Sequence, residues 1–565
     1  MSDAAKALHA LFAAEWDYHM EQNPTEASTL GDRRWNDRWE NLTLAAIENR
    51  HQHDLQTLSR LRSIDRSRLS SDDQLNYALF EKQYKTRIEG FEYRWYLIPL
   101  NQRGGIQTAD DLANQLRFSS LKDYEDWIAR LRSFSAHVDQ TMALMREGMR
   151  QGMMLPKVIM RRIPAQIDKQ VVASPEASPF YKPFLHFPAS ISEADQARLI
   201  QSAKQTVSAS VVPAFERFKK FFVEDYLPAC FDQVGIWQNP NGAAMYAFLA
   251  REHTTTDLTP QQIHAIGLRE VERIHGEMLA LMRQVAFGGT VDDFFKFLRT
   301  DPRFFYKSPD ELLEAYRATA KRIDPNLIKA FRVLPRTPYG VEPIPAEVAP
   351  DTTAAYYSGP AADGSRAGIY YVNLYKPETR PKWEMMALSL HESVPGHHLQ
   401  IALGMEQGGL PNFRRYGYYD AFGEGWGLYA ESLGYEMGLY DDPCSRFGQL
   451  TYDMWRAVRL VIDTGIHTMR WDRKRAIDYF MQNAAKTELD VTNEVDRYIA
   501  WPGQALAYKI GQLKIRELRD RSSQELGSKF DLKEFHEVVL KDGALPLDIL
   551  ERKVDEWIKS KQETT

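Results

Sequence analysis

The strongest chemical signal in the sequence is the stretch from His391 to His398, which reads HESVPGHH. Three of the fourteen histidines of the chain fall in this stretch, and Glu392 directly follows the first of them. Imidazoles and carboxylates are common protein ligands of Zn²⁺. In the HExxH pattern, two histidines four residues apart lie on one helix face and bind the same zinc ion. Two additional residues separate the histidines in the present sequence.

This insertion requires a break in the helix if His391 and His397 are to bind one metal ion. On a regular helix, residues six apart lie ~9 Å apart along the axis and ~120° apart around it. Pro395 has no backbone N–H for the carbonyl of His391, and Gly396 tolerates unusual backbone angles. We therefore predict a kink or bulge at this Pro-Gly pair that turns His397 back toward His391. His398 is the alternative second ligand, since it keeps the face of His391 but lies ~10 Å along the axis.

A catalytic zinc site with two histidines needs a third ligand, commonly a carboxylate, and an open position for water. The segment EGWGLYAE, from Glu424 to Glu431, supplies two carboxylates that are nearly on one helix face. We predict that Glu424 is the third ligand and that Glu431 orients a ligating histidine. Glu392 would then be the general base that takes a proton from a zinc-bound water. The competing interpretation is a helix terminus with solvent-exposed histidines and a Pro-Gly stop.

Two later segments contain candidates for stabilising the oxyanion of a tetrahedral intermediate. Arg459, Asp463 and His467 lie on a polar stripe beside an apolar stripe of a predicted helix. Asp463 could orient the His467 ring, so we expect His467 to be catalytic and Arg459 to contact substrate. The alternative is a solvated face with ordinary ion pairs. Tyr508 could donate its hydroxyl to the oxyanion, and a core tyrosine is an equally good interpretation.

A small sheet is predicted just before the helix that carries His391. Residues 353–357 and 368–374 are rich in β-branched and aromatic residues, and the loop between them contains residue pairs typical of hairpin turns. We predict that the second segment is an edge strand that pairs with an extended peptide, with Gly368 and Tyr370 contacting substrate. Tyr370 and Tyr371 point to opposite faces, so only one of them can meet substrate. The alternative is a plain structural hairpin.

Helical signals dominate the rest of the chain. Capping boxes are predicted at Ser71, Thr259 and Ser308, where a hydroxyl can satisfy an amide of the first turn. Helical spacing of apolar residues is found in residues 5–21, 36–62, 72–88, 109–152, 190–226, 260–286 and 309–323. The sequence therefore predicts a mainly α protein with one small sheet near residues 330–375.

Composition excludes several classes of protein. The 565 residues carry a net charge of −6 without a basic excess, so we expect no nucleic-acid partner. The two cysteines, Cys230 and Cys444, exclude a disulfide framework and a thiolate zinc site. We expect no membrane partner, because no apolar run approaches the ~18 residues that a bilayer span requires. The N-terminal residues lack a signal-peptide pattern, which predicts a cytoplasmic protein, although a trimmed exported form would look the same.

The motifs together resemble a known family. The segments HESVPGHHLQ, EGWGLYAE, VIDTGIH, WPGQALAYKIGQLKI and LNQRGGIQ are similar to the bacterial family called domain of unknown function 885. Its HExxPGHxxQ motif is placed with the gluzincin-like metallopeptidases. The resemblance implies a largely helical zincin-like fold and a peptidase role. Its motif uses only the first histidine after Pro-Gly, which favours His397 over His398.

We therefore expect a gluzincin-like zinc metallopeptidase that acts on oligopeptides. Residues 1–255 would form a helical lobe and residues 256–565 the catalytic lobe, with a deep cleft between them. A zinc amidase or esterase acting on a non-peptide substrate is the second enzyme interpretation. A non-catalytic metal-containing binding protein is the third, although it has no use for a base at Glu392. The sequence leaves the cleavage mode and the oligomeric state open.

Overall fold

A computed structural model describes residues 2–346, 349–364 and 366–563. The chain divides into two compact units. The first runs to Gln233 and includes Trp237–Gly242 and Pro411–Phe413. The second contains Val234–Ile236, Ala243–Leu410 and the residues from Arg414 onward. Residues 243–255, which we expected in the N-terminal lobe, thus belong to the second unit.

The first unit is helical among its described residues. Its helices of eight or more residues are α1 (Asp3–Gln22), α2 (Leu44–Arg62), α3 (Ser71–Phe91), α4 (Leu121–Arg132), α5 (Phe134–Gln151), α6 (Glu193–Thr206) and α7 (Val212–Phe221). The predicted capping box at Ser71 is wrong, because Ser70 is the N-cap and its hydroxyl accepts from the amide of Asp73. The predicted helix over 109–152 is interrupted, because residues 116–120 form a loop before α4.

The second unit contains the remaining helices of this length. They are α8 (Gly242–Thr254), α9 (Pro260–Gln284), α10 (Val291–Thr300), α11 (Pro309–Ile323), α12 (Met385–Glu392), α13 (His397–Met405), α14 (Asp420–Ser432), α15 (Pro443–Thr468), α16 (Arg473–Asn483), α17 (Glu488–Ala500), α18 (Ala507–Leu526), α19 (Leu532–Leu540) and α20 (Leu547–Glu563). The predicted capping box at Thr259 is confirmed, with Gln262 as its reciprocal partner.

Helix α15 is the core of the second unit. Asp442 caps its first turn by accepting from the amides of Cys444 and Ser445. Nearly every residue from Ser445 to His467 is buried, on the polar stripe as well as on the apolar one. Helices α9, α12 and α16 pack against it. The solvated face considered for this helix is therefore wrong, because its polar residues lie in the core.

Three short strands form the sheet of the second unit. These are β1 (Tyr339–Pro343), β2 (Ala355–Ser358) and β3 (Gly368–Val372), in the order β1-β3-β2. Strand β3 pairs parallel with β1 and antiparallel with β2. The predicted hairpin of β2 with β3 is confirmed, but the prediction that β3 is an edge strand is wrong. Strand β1 takes the position that we assigned to a peptide.

The mainly α prediction with one small sheet is confirmed. The zincin-like arrangement and the cleft between lobes stay predictions. Among the residues that the structure describes, no helix combines the length and apolar character that crossing a membrane requires.

Candidate metal centre

The break predicted at the Pro-Gly pair is confirmed. Helix α12 ends at Glu392 and α13 begins at His397, with a cis peptide bond between Val394 and Pro395. The indole Nε1 of Trp426 donates to the Pro395 carbonyl at 2.8 Å, which ties the turn to α14. A Cβ atom on Gly396 would lie 1.9 Å from the carbonyl oxygen of His391. Only glycine therefore fits this close approach of the two backbones.

The turn brings the three predicted metal ligands together. One ligand atom each of His391, His397 and Glu424 lies within 4.8 Å of the other two. The Nε2 atoms of His391 and His397 are 3.4 and 3.3 Å from Oε2 of Glu424. The imidazole rings are perpendicular, with centroids 4.7 Å apart. The His391 ring is also almost fully enclosed, at 2% exposure.

Helix α14 holds the His391 ring in place. Oε1 of Glu431 lies 2.9 Å from Nδ1 of His391, as predicted for a carboxylate that orients a ligand. Donation of the Nδ1 proton to Glu431 leaves the Nε2 lone pair directed toward Glu424. Gly427 makes room for the ring, since a Cβ atom there would lie 2.8 Å from its Cε1. Gly425 lets α14 approach α18, because its Cβ would lie 2.5 Å from Gly511 Cα.

The electrostatics of this group suit a bound cation. Burial lowers the pKa of His391, but its contacts with Glu424 and Glu431 outweigh burial and raise it to about 9. Burial opposes ionisation of Glu424, but the charges of His397 and His391 hold its pKa well below its usual range. Nδ1 of His397 and Oε2 of Glu424 are buried without a hydrogen-bond partner among the described residues. Two imidazoles, one carboxylate and unsatisfied donor atoms fit a divalent transition metal such as zinc.

Glu392 is the last residue of α12 and is 9% exposed. It does not belong to the group of ligand atoms found among the described residues. Its negative charge contributes to the raised pKa of His391, after burial and the contacts with Glu424 and Glu431. It is therefore a third carboxylate near His391, after Glu424 and Glu431.

His398 is excluded as the second ligand because both of its ring nitrogens are used elsewhere. The Tyr357 hydroxyl donates to Nδ1 at 2.8 Å, and Nε2 donates to the Thr337 carbonyl at 3.0 Å. Burial lowers the pKa of His398 to about 4, which favours the neutral ring. His398 therefore fastens α13 to the sheet, and the preference for His397 agrees with the geometry.

The two predicted substrate contacts in β3 are wrong. A Cβ atom on Gly368 would lie 2.2 Å from the Tyr357 hydroxyl and 2.8 Å from Nδ1 of His398. Gly368 is thus needed for packing around that hydrogen bond. Tyr370 is fully buried, with its hydroxyl 3.4 Å from Oγ of Ser389 and its ring against Tyr316. It packs beneath α12, so it cannot meet substrate.

The predicted catalytic role of His467 is also wrong. The amide of Ile236 donates to Nδ1 at 3.0 Å, and Nε2 donates to the Tyr498 carbonyl at 3.0 Å. Asp463 does not orient this ring, because its Oδ1 accepts from the Tyr246 hydroxyl and the Gly503 amide. Burial lowers the pKa of His467 to about 4. A neutral imidazole with both nitrogens bonded has no site left for proton transfer.

Tyr508 and Arg459 lie beside the metal centre in different ways. The Tyr508 ring is nearly parallel to the His391 ring, with centroids 6.4 Å apart. Arg459 stacks on Tyr508 at 4.2 Å and donates to Glu494 at 2.8 Å. Arg459 is 2% exposed and holds the Tyr508 ring, and its predicted contact with substrate stays a prediction.

Two residues near the centre were missed. Arg497 donates from Nη2 to the Tyr508 hydroxyl at 2.9 Å. Tyr418 precedes α14, and a Cβ atom on Gly423 would lie 2.3 Å from its hydroxyl. Although 45% of Tyr418 is exposed, desolvation at its hydroxyl end and then the Glu424 charge raise its pKa well above normal. Neither residue lies in a recognisable local motif, so only the three-dimensional arrangement identifies them.

Comparisons with known proteins give a family and a fold. Residues 24–554 match the model of a family described as a bacterial protein of unknown function, DUF885. A solved structure of a candidate lipoprotein from Colwellia psychrerythraea is 30% identical, with a TM-score of 0.94 over 99% of this chain and 100% of that chain. A candidate lipoprotein of unknown function from Shewanella oneidensis has the same fold at 17% identity, with a TM-score of 0.74 over 98% and 99% of the two chains. No match was found among the curated proteins.

Proposed function

Because the chain belongs to the bacterial DUF885 family, whose description assigns no activity, we propose its function from the geometry of the candidate metal centre. The protein is a zinc-dependent hydrolase that cleaves peptide bonds of oligopeptides. His391, His397 and Glu424 hold the metal, and Glu392 is the general base.

The convergence of three ligand atoms beside a buried, non-ligating carboxylate carries this proposal. The ligand atoms lie within 4.8 Å of one another, and among the described residues the group contains three side chains. Structural zinc sites are usually closed by four protein ligands, whereas catalytic sites keep one position open. A base at Glu392 has a purpose only in the second kind of site, and this argues against a purely structural metal.

The chain's own residues supply the remaining chemistry. A zinc ion contributes a Lewis acid that polarises a carbonyl and makes water more acidic. Glu392 can accept the proton of the attacking water and deliver it to the leaving amine. The Tyr508 hydroxyl accepts a hydrogen bond from Arg497, which leaves its own proton available for the developing oxyanion. Glu431 keeps the His391 ring in one tautomer throughout.

The test combines metal analysis with turnover of a mixed peptide library, read by mass spectrometry. We expect about one zinc per chain and new peptide termini. Glu392→Gln should keep the metal but lower turnover by about 10²–10⁴-fold, which is typical of losing a general base. Glu378→Gln is the matched control, because Glu378 is exposed and lies outside the centre.

Two results would overturn this proposal. Zinc-loaded wild-type protein that cleaves no peptide, yet hydrolyses non-peptide amides or esters, would establish the amidase interpretation instead. Equal turnover by wild type and Glu392→Gln would exclude Glu392 as the base.

The Colwellia relative also bears on location. Its description as a candidate lipoprotein supports an exported form of this protein over the cytoplasmic prediction. Fractionation of cells that express the native gene tests this, and recovery from the cytoplasm alone would contradict it.

A further inference from the structure

An arginine cluster surrounds the tyrosine next to the metal centre. The guanidinium carbons of Arg456, Arg459 and Arg497 lie 5.9, 4.2 and 5.8 Å from the centroid of the Tyr508 ring. The cluster contains more arginines than carboxylates and is therefore positively charged. It lies close to His391.

The three arginines share two carboxylates among the described residues. Arg456 lies 3.5 Å from Glu431, which also binds His391. Glu494 is paired with Arg459 at 2.8 Å and lies 3.7 Å from Arg497. Two of the arginines, Arg459 and Arg497, therefore share the single carboxylate of Glu494. A buried guanidinium that shares its countercharge has capacity for a further anion.

Arg497 is the member of the cluster that a ligand can reach. Its side chain is 11% exposed, compared with 5% for Arg456 and 3% for Arg459. It lies against Trp501, which is 37% exposed. Nη2 donates to Gln504 and Tyr508, Nη1 lies 3.7 Å from Glu494, and Nε is buried without a hydrogen-bond partner among the described residues. The guanidinium group therefore has N–H capacity that a carboxylate ligand can use.

The separation from the metal centre sets the position of that carboxylate along a peptide. The guanidinium carbon is 5.8 Å from the Tyr508 centroid, which is 6.4 Å from the His391 centroid. The guanidinium carbon of Arg497 therefore lies at most roughly 12 Å from the centroid of the His391 ring. An extended chain covers about 3.3–3.6 Å per residue. One to three residues therefore fit between a scissile bond at the metal and Arg497.

We infer that Arg497, held against Tyr508, binds a substrate carboxylate located one to three residues beyond the scissile bond. The carboxylate is either the C-terminal α-carboxylate, which makes the enzyme a carboxypeptidase or peptidyl-dipeptidase, or the side chain of Asp or Glu. This inference rests on the proposed peptidase function and specifies its substrate class.

The test measures binding separately from turnover. Zinc-loaded, full-length Glu392→Gln protein is titrated with three versions of one neutral pentapeptide, which have a free C-terminus, an amidated C-terminus, or an amidated C-terminus with Asp as the last residue. Loss of a charge-assisted hydrogen bond predicts at least about 10-fold weaker binding of the neutral amide than of the free acid. Recovery of affinity by the Asp peptide would assign the site to a side-chain carboxylate, and no recovery to the α-carboxylate.

Variants of Arg497 identify the residue responsible. In the same background, Arg497→Gln should bring the ratio of the dissociation constants for the amide and the free acid close to 1, and Arg497→Lys should retain part of it. Arg475→Gln is the matched control, because this exposed arginine stacks on Trp471 and is not part of the cluster. Its ratio should equal that of the parent.

The outcomes separate this inference from the proposed function. Equal binding of the free acid and both amides would overturn the carboxylate site even if wild type cleaves peptides. An unchanged ratio in Arg497→Gln would overturn the assignment to Arg497. If wild type cleaves nothing but the ratio is large and depends on Arg497, the carboxylate site stands as a binding site and the peptidase proposal fails.

Discussion

The metal centre and the polar face of α15 are both buried polar clusters of the second unit, but they differ in how their polar atoms are paired. At the centre, Glu424 Oε2 and His397 Nδ1 lack hydrogen-bond partners among the described residues. On α15, both nitrogens of His467 are bonded, and both carboxylate oxygens of Asp453 contact cations. The metal centre has capacity for a ligand, whereas His467 and Asp453 of α15 are satisfied by the fold itself.

This difference separates binding from stability. Unsatisfied atoms on α13 and α14, such as His397 Nδ1 and Glu424 Oε2, are costly unless something binds them. The ion pairs of Asp453, which join α15 to α9 and α18, stabilise the packing of those helices and leave neither carboxylate oxygen for a ligand. Buried histidines and carboxylates occur in both clusters, so burial and residue type alone do not identify a functional site.

The largest effect expected is the loss of the metal when a ligand is replaced. His397→Ala should lose most of its zinc and all detectable peptidase activity, because two ligands cannot hold the ion as three do. His398→Ala should keep its zinc, since that ring binds Tyr357 and Thr337. Elemental analysis after gel filtration measures both. More metal in His397→Ala than in His398→Ala would mean that the ligand assignment is reversed.

The next largest effect concerns stability rather than metal binding. Asp453 is 2% exposed and binds Lys509 and Arg273. Asp453→Asn should lower the free energy of unfolding by about 3–5 kcal/mol, because it leaves the buried Lys509 ammonium without its nearest countercharge. Zinc content per folded chain should stay at the wild-type value. Denaturant unfolding monitored by circular dichroism measures the first quantity, and an unchanged midpoint would contradict the pairing.

The pH dependence of this pair has a definite sign. Burial opposes ionisation of Asp453, but Lys509 and Arg273 outweigh it and hold its pKa well below the usual value. The stabilisation is therefore fully present above the unfolded pKa of about 3.9 and is lost as the pH falls below it. The stability difference between wild type and Asp453→Asn should be largest near pH 7 and should narrow below about pH 4. A difference that grows on acidification would contradict this linkage.

The sequence was sufficient to predict the centre because the relevant geometry is local. The spacing of His391 and His397 excludes a regular helix, and Pro395 and Gly396 show where it breaks. Glu424 and Glu431 lie on one face of a single helix, so the spacing predicts that both approach the same group. Each of these arguments uses only the backbone geometry of one element or one turn.

The errors arose where the partner comes from a distant segment. His467 of α15 is bonded to the Ile236 amide and the Tyr498 carbonyl, and nothing in residues 455–470 reveals these two partners. Strand β3 became central because β1, a short segment that ends in Pro343, pairs with its free edge. Arg497 and Tyr418 reach the centre from separate loops and helices, and their local sequences contain no catalytic pattern.

A smaller effect is expected from the residue that links the two clusters. Glu431 orients His391 and lies 3.5 Å from Arg456 of α15. Glu431→Gln should weaken zinc binding by about 10–100-fold, because the ligand loses its ionised partner, without removing the metal at saturating zinc. Competition with a fluorescent chelator measures the dissociation constant. Glu436→Gln, in an exposed ion pair with Arg519, is the control, and equal affinities of the two variants would exclude this role.

The smallest effect is expected at His467, and it decides whether the polar face of α15 is structural. His467→Gln should cost about 1–2 kcal/mol of stability, because a glutamine side chain cannot reproduce both hydrogen bonds to Ile236 and Tyr498. The zinc content and the kcat of the folded fraction should equal those of wild type, since neither nitrogen can contact a substrate. Thermal unfolding and peptide turnover at low temperature separate the two quantities. A fall of 100-fold or more in kcat with an unchanged Tm would return His467 to the catalytic residues, and the distinction between paired and unpaired clusters would then fail at this position.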